Sequence, residues 1–239
     1  MIRINKYLAH CGVASRRKAD SIVSSGRVTV NGVVITTLGQ MIDETADEVK
    51  VDGVAISPAE VHHYLVLNKP AGFVTSLSDP HHDRTVIELI AGVKARVFPV
   101  GRLDLDTEGA LLFTDDGELA HRLTHPRYGI RRVYHARVKG EIARSRLEQF
   151  AKGITLPDGA LGRADVRLEK TYQGHSHLVV EMTEGRKREV KHLCKAVGHP
   201  VEHLVRKSFA GIDCSDLQVG RWRYLTAAEI ARLKRLVGL

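Results

Sequence analysis

The stretch from Val97 to Gly117 limits what this chain can fold into more than any other. It reads Val97-Phe-Pro-Val-Gly-Arg-Leu-Asp-Leu-Asp-Thr-Glu-Gly-Ala-Leu-Leu-Phe-Thr-Asp-Asp-Gly117. A short apolar run, Val97 to Val100, is broken by Pro99 and stopped by Gly101. A charged segment follows, from Arg102 to Glu108. A second apolar run, Ala110 to Phe113, ends at Thr114-Asp-Asp-Gly117. Apolar runs this short, bounded by Gly, Pro and Asp, spell strand, loop, strand and turn. Acids and an arginine between two strands suggest a site on a loop held by a rigid scaffold.

Gly101-Arg102-Leu103-Asp104, with Thr107 and Gly109 behind it and Thr114-x-Asp116-Gly117 after the apolar run, resembles the central motif of the pseudouridine synthases. It looks most like the RsuA-like branch, which acts on ribosomal RNA. The resemblance implies that Asp104 is the catalytic residue. Asp104-Leu-Asp106 also has the Asp-x-Asp form of haloacid-dehalogenase-type phosphatases. That pattern wants Thr or Val four residues after the first Asp, behind a continuous apolar strand. Here Glu108 holds the position and Gly101-Arg102 interrupts the approach.

The chain has 239 residues, enough for one or two domains with a buried core, and 43% of them are apolar. No apolar run approaches the roughly 20 residues needed to span a bilayer. Met1-Ile-Arg-Ile-Asn-Lys-Tyr7 lacks a signal peptide's apolar core, so a cytoplasmic protein without a membrane partner is expected. Cys11, Cys194 and Cys214 have neither disulfide nor zinc-ligand spacing. His121 and His125 are four apart, but Arg122 stands where a zinc protease has Glu, so no metal site is expected. The formal charge of +8 favours a polyanion partner, RNA or DNA.

The first sixty residues divide by charge. Arg3, Lys6, Arg16, Arg17, Lys18 and Arg27 face one acid, Asp20, up to residue 34; then Asp43, Glu44, Asp47, Glu48, Asp52 and Glu60 face one base, Lys50. Ile4, Leu8 and Ala9 suit a short helix. Ser15 is placed to cap a second, with Ala19, Ile22 and Val23 inward and Gly26 as its stop. Arg27 to Ile35 reads as a hairpin turning on Asn31-Gly32. Two small helices followed by Gly-Arg-Val-x-Val-Asn-Gly resemble the RNA-binding module named after ribosomal protein S4. Arg16, Arg17, Lys18 and Arg27 are its expected phosphate contacts, with the acid-rich half turned away from RNA. Ser57 to His63 reads as a linker, so the expected domains are residues 1–60 and 61–239.

Tyr64 to Asn68 reads as a strand leading into Lys69-Pro70-Ala71-Gly72, which resembles the family's first motif and would buttress the site. Residues 121 to 139 hold Arg122, Arg127, Arg131, Arg132, Arg137 and Lys139 and no acid. This basic strip favours RNA contact, with Arg102, Arg131 and Arg132 as candidates. Tyr134 stands where the family has its active-site tyrosine; the plainer alternative is a buried Tyr with its hydroxyl bonded. Thr183 to Lys191 resembles the third motif, in which a glycine turn feeds a helix that brings a cation to the Asp. Lys191 matches that cation, commonly Arg in the family. Arg186 and Arg188 are further RNA candidates. Glu189 hints at the RluB-type subgroup. Val190, Leu193, Cys194 and Val197 mark the buried face of that helix.

Together these readings give an α+β chain: a small helix-hairpin RNA-binding domain, then a catalytic domain on a mixed, mainly antiparallel sheet. The implied reaction breaks the N1–C1′ bond of a uridine, turns the base and joins C5 to C1′. Nothing is oxidised and no phosphate moves, so no redox cofactor or metal is required. Asp104 would attack sugar or base, or assist proton removal at C2′. Tyr134 would stack on the uracil, and Lys191 would supply the cation that a carboxylate in a buried site needs. Large-subunit (23S) RNA is the favoured substrate and 16S RNA the runner-up, either free or in a ribosome-assembly intermediate, with the protein a monomer. A non-catalytic RNA-binding assembly factor fits the N-terminal module and the charge equally well. Asp104, Tyr134 and Lys191 in three separate motifs exceed what binding alone needs.

Overall fold

The computed structural model describes residues 1–59 and 61–239. Glu60, counted above among the acids of the first segment, lies outside the described residues. The chain forms two compact units, residues 1–62 with 115–117, and residues 63–114 with 118–239.

In the first unit, helices Ile4–His10 and Arg16–Ser24 stand where the sequence marks them. Ser15 Oγ accepts the Lys18 backbone N–H at 3.3 Å and so caps the second helix. Ala19, Ile22 and Val23 form its buried face. Strands Val28–Val30 and Val33–Ile35 pair antiparallel about Asn31 and Gly32, both left-handed at φ 50° and 80°. Positive φ at both turn positions is the geometry that Asn-Gly accommodates and that matches the strand twist. Val49–Val51 and Val54–Ala55 extend this sheet. Leu8, Ala19, Val23, Val28, Ile42 and Val49 fill the core beneath it.

The second unit is built on a sheet with the order Asp165–Tyr172, His175–Met182, Arg132–Lys139, Val201–Phe209, Thr107–Thr114, Tyr64–Lys69, Trp222–Tyr224. Every neighbouring pair in that order is antiparallel except one. Val201–Phe209 runs parallel to Thr107–Thr114, with Leu204 opposite Thr107 and Arg206 opposite Gly109. The sheet is thus mixed and mainly antiparallel, as expected. Leu65, Leu67, Leu111 and Phe113 pack into one apolar cluster; Tyr64, Val66, Ala110 and Leu112 pack into another. Both faces of the central strands are buried, which is why these strands read as continuous apolar runs rather than alternating ones. Phe150 of helix Arg144–Lys152 and Leu193 of helix Glu189–Ala196 join the first cluster. Leu119 and Leu123 of helix Gly117–Thr124 and Leu233 of helix Ala227–Leu236 join the second. Thr226 and Glu229 form a capping box on that last helix. Among the described residues, no helix is long and apolar enough to cross a membrane.

Val201–Phe209 is a central strand that the sequence reading passes over. Its residues fall within a basic run, and one of its buried positions holds Arg206 rather than an apolar residue. The alternation that marks a strand is therefore masked.

Candidate active site

The loop from Leu103 to Thr107 enters the Thr107–Thr114 strand and is fastened from below. Lys69, fully buried at the end of its own strand, donates from Nζ to the backbone carbonyls of Pro70 (2.9 Å), Asp104 (3.2 Å), Leu105 (3.4 Å) and Thr107 (2.9 Å). The Gly72 N–H donates to the Leu105 carbonyl at 2.8 Å. Thr75 Oγ1 donates to the Leu103 carbonyl and accepts the Leu103 N–H, at 2.8 and 3.2 Å. Lys69-Pro70-x-Gly72 thus holds the loop through its backbone, leaving the carboxylates of Asp104 and Asp106 free of that task.

Asp104 projects from this loop into a cavity of about 140 Å³ within the second unit. Tyr134, from the Arg132–Lys139 strand, is buried in the same wall, with Leu204 and Met182. Lys191, on helix Glu189–Ala196, has an 11% exposed side chain and reaches Asp104 Oδ2 at 3.4 Å. It also makes a short contact with Asp106 Oδ1. Burial acts to raise the Asp106 pKa, but hydrogen bonding and charge from Lys191 outweigh it and hold that carboxyl below its ordinary range. Lys191 thus stands between two carboxylates, Asp104 and Asp106, and the Asp106 contact is the tighter. The motif read from the sequence names only the first of these acids.

A wall carrying an acid, a tyrosine and arginines, with a cation shared between two acids, suits a reaction on a flipped-out base. Comparison with known proteins decides the family: residues 63–196 match the model described as RNA pseudouridylate synthase, and residues 2–49 match the S4 domain. The chain belongs to the RNA pseudouridylate synthase family. It is an isomerase with an S4 domain at its N-terminal end. The chain is 43% identical over 240 residues to an uncharacterized RNA pseudouridine synthase of Aquifex aeolicus (strain VF5), covering 100% of this chain and 96% of the relative. It is 37% identical over 238 residues to ribosomal large subunit pseudouridine synthase B of Bacillus subtilis (strain 168), covering 99% and 97%. A crystal structure of pseudouridylate synthase superposes with TM-score 0.69 at 27% identity, covering 98% of this chain and 100% of that one.

The cations expected to meet RNA are distributed unevenly on this synthase. Arg102, Arg186 and Arg188 line the cavity and are exposed. Arg186 is tied to Glu184 at 2.9 Å. Arg131 is exposed and paired with Glu181, and Arg137 lies 3.5 Å from Glu202. The strip that reads as free of acid in sequence thus receives acids from neighbouring strands. Arg132 departs further from expectation: it is 8% exposed and part of the cavity wall rather than of a surface strip. In the S4 unit, Arg16, Arg17 and Lys18 are exposed in the first turn of their helix. Arg27 is exposed but forked onto Asp52. Asp52 of the acid-rich stretch thus engages one of the expected phosphate contacts.

Arg206, which the sequence reading passes over, and Glu189, read there only as a mark of subgroup, stand in the same wall. Arg206 is 2% exposed, donates from Nε to the Ala110 carbonyl at 2.8 Å, and leaves Nη2 without a partner. Glu189 is equally buried; one oxygen accepts the Arg186 N–H at 2.8 Å and the other has no partner. Burial pushes its carboxyl above the ordinary range, the Arg186 N–H acting against this. The unsatisfied atoms, not any spacing, single these residues out.

Lys69 yields a test of the buttress. Burial pushes its ammonium down from 10.5 to about 8, with Asp106, Glu108 and Asp104 resisting and Lys191 assisting. The unfolded chain keeps the Lys69 proton to the higher value, so between the two the unfolded state binds more protons and stability from Lys69 rises with pH. Between about pH 7 and about pH 10 the synthase should gain about 1–3 kcal/mol over Lys69→Met in urea unfolding. Parallel stability curves for the two proteins would show that Lys69 is not a buried cation.

Proposed function

We propose that this synthase isomerises a uridine of large-subunit (23S) ribosomal RNA in the cavity that holds Asp104. The observation that carries the reading is the meeting of Asp104, Tyr134 and exposed cations in one small cavity, with Lys191 against Asp104. The name of the Bacillus relative supports the choice of RNA. In this reading the target nucleotide leaves its stack, at a cost of a few kcal/mol. Tyr134 stacks on the uracil. Asp104 starts the reaction at the sugar or the base, with the Lys191 ammonium beside its carboxylate. Arg102, Arg186 and Arg188 hold the backbone at the mouth of the cavity. The protein acts as a cytoplasmic monomer, on rRNA or an assembly intermediate.

Residues 1–60 form the RNA-binding domain in this reading, and residues 61–239 the catalytic one. Three cations in a helix's first turn oppose the helix dipole, so Arg16, Arg17 and Lys18 are placed at a local cost. A phosphate at that turn would meet both the cations and the free N–H groups. Changing all three to Gln should flatten the plot of log affinity against log salt by up to about 0.9 per lost contact on a duplex. Filter binding of an rRNA fragment across a salt series measures it. An unchanged slope would remove these residues from the RNA surface.

A further inference from the structure

Two buried guanidiniums, Arg132 and Arg206, stand in the cavity wall without an ion pair among the described residues. They are 8% and 2% exposed. Both lie against one ring: their Cζ atoms are 5.1 and 4.9 Å from the centroid of Phe209. Arg132 spends Nη1 on the Ile130 and Thr183 carbonyls, and Arg206 spends Nε on Ala110. Arg206 Nη2 has no partner. Glu189 is the one buried carboxyl in this wall, and it forms no hydrogen bond to either arginine. The Glu189 charge acts on Arg132, but one carboxyl faces two buried cations. Buried charge short of counter-charge is costly, so a fold that keeps both cations at a ligand cavity points to a ligand that brings negative charge.

RNA phosphates do not fit that description. They stay on the backbone, where the exposed Arg102, Arg186 and Arg188 wait. What enters is the base, and uracil is neutral until its bond to the sugar breaks. We propose that Arg132 and Arg206 stabilise the uracil anion formed when N1–C1′ cleaves. The proposal rests on the reading of this cavity as the catalytic one.

The electron pair of the broken bond stays on N1 and spreads over the two ring carbonyl oxygens. C1′ is satisfied by the Asp104 carboxylate or by loss of the C2′ proton. C5 then gives an electron pair to C1′, as the Asp104 carboxylate leaves C1′ or as C2′ regains its proton; the C5 proton leaves and N1 takes one up, so the product is an isomer and no oxidant is involved. Turning the base about the line from N3 to C6 exchanges its two carbonyls. A pair of cations can therefore hold the anion before and after the turn. Because the charge exists only after cleavage begins, this attraction favours the transition state over the bound substrate.

The test compares uridine with 5-fluorouridine at the target position of one RNA, by single-turnover consumption of the target nucleoside. Fluorine stabilises the departing anion by itself and so reduces the need for the cations. Arg206→Met should slow uridine consumption about 100- to 1000-fold, the usual effect of losing one such donor. With 5-fluorouridine the same change should cost only about tenfold. Arg206→Lys, which keeps the charge, should recover most of the uridine rate. Arg132→Gln, which keeps donors for the two carbonyls but loses the charge, should show the same substrate-dependent defect and serves if Arg206→Met does not fold. An equal defect on both substrates in a folded variant would overturn the proposal and leave the arginines as packing for Phe209. A wild-type protein that consumes neither nucleoside would instead overturn the catalytic reading on which the proposal rests.

Discussion

Asp104→Asn is expected to abolish pseudouridine formation while RNA remains bound. The amide is nearly the size of the carboxylate, so the loop should keep its shape. That loop is held through backbone carbonyls by Lys69 and through Leu103 and Leu105 by Thr75 and Gly72, and none of these contacts uses the Asp104 side chain. What is lost is the ability to act as nucleophile or base. The rate should fall by at least about 10⁴-fold, roughly 5.5 kcal/mol of barrier. Asp106, with a 61% exposed side chain, should tolerate the same change with a loss below about tenfold, although it takes the tighter contact with Lys191. Single-turnover assays beside equilibrium binding measure both. If Asp106 proved essential and Asp104 dispensable, the assignment of the motif would be wrong.

Gly109→Ala is expected to cost the fold rather than the chemistry. Gly109 has φ +102°, and a Cβ built there would lie 2.2 Å from the Arg206 carbonyl oxygen and 2.9 Å from the Arg206 carbonyl carbon and amide nitrogen. These are backbone atoms of the parallel partner strand, paired in register with Gly109, so no side chain can swing aside. The methyl would force apart the single parallel pair in the order of the large sheet. The loss should reach about 4–5 kcal/mol, at the far end of single substitutions. Thermal unfolding should fall by about 10 °C or more. Gly72→Ala is the control: φ is +84° there, but nothing lies within 4 Å, so only the conformational cost of about 1–2 kcal/mol applies. Equal melting temperatures for wild type and Gly109→Ala would mean that the strands do not pair as described.

The local signals were legible because each has a cause confined to a few residues. Ser15, Asn31-Gly32 and Thr226-x-x-Glu229 act within one turn, and each does in the structure what its spacing implies. The acid, the tyrosine and the cation were visible as members of three motifs, although the residues between them give no hint that they converge. The rest needed the sheet. Glu181 and Glu202 reach the basic strip only through pairing with neighbouring strands, so the strip looked free of acid. Val201–Phe209 hid behind Arg206, a charged residue at a buried strand position. The same irregularity that concealed the strand marks the cavity wall, which is where a sequence is expected to break its local rules.

The central claim is that this protein converts a particular uridine of ribosomal RNA through Asp104. Mapping pseudouridines across the rRNA of cells with the protein, without it, and with only the Asp104→Asn form tests it most directly. A pseudouridine should vanish from the large-subunit RNA of cells lacking the protein, return with the wild-type chain and stay absent with the Asn form. Identical maps in all three strains, or full restoration by Asp104→Asn, would contradict the account.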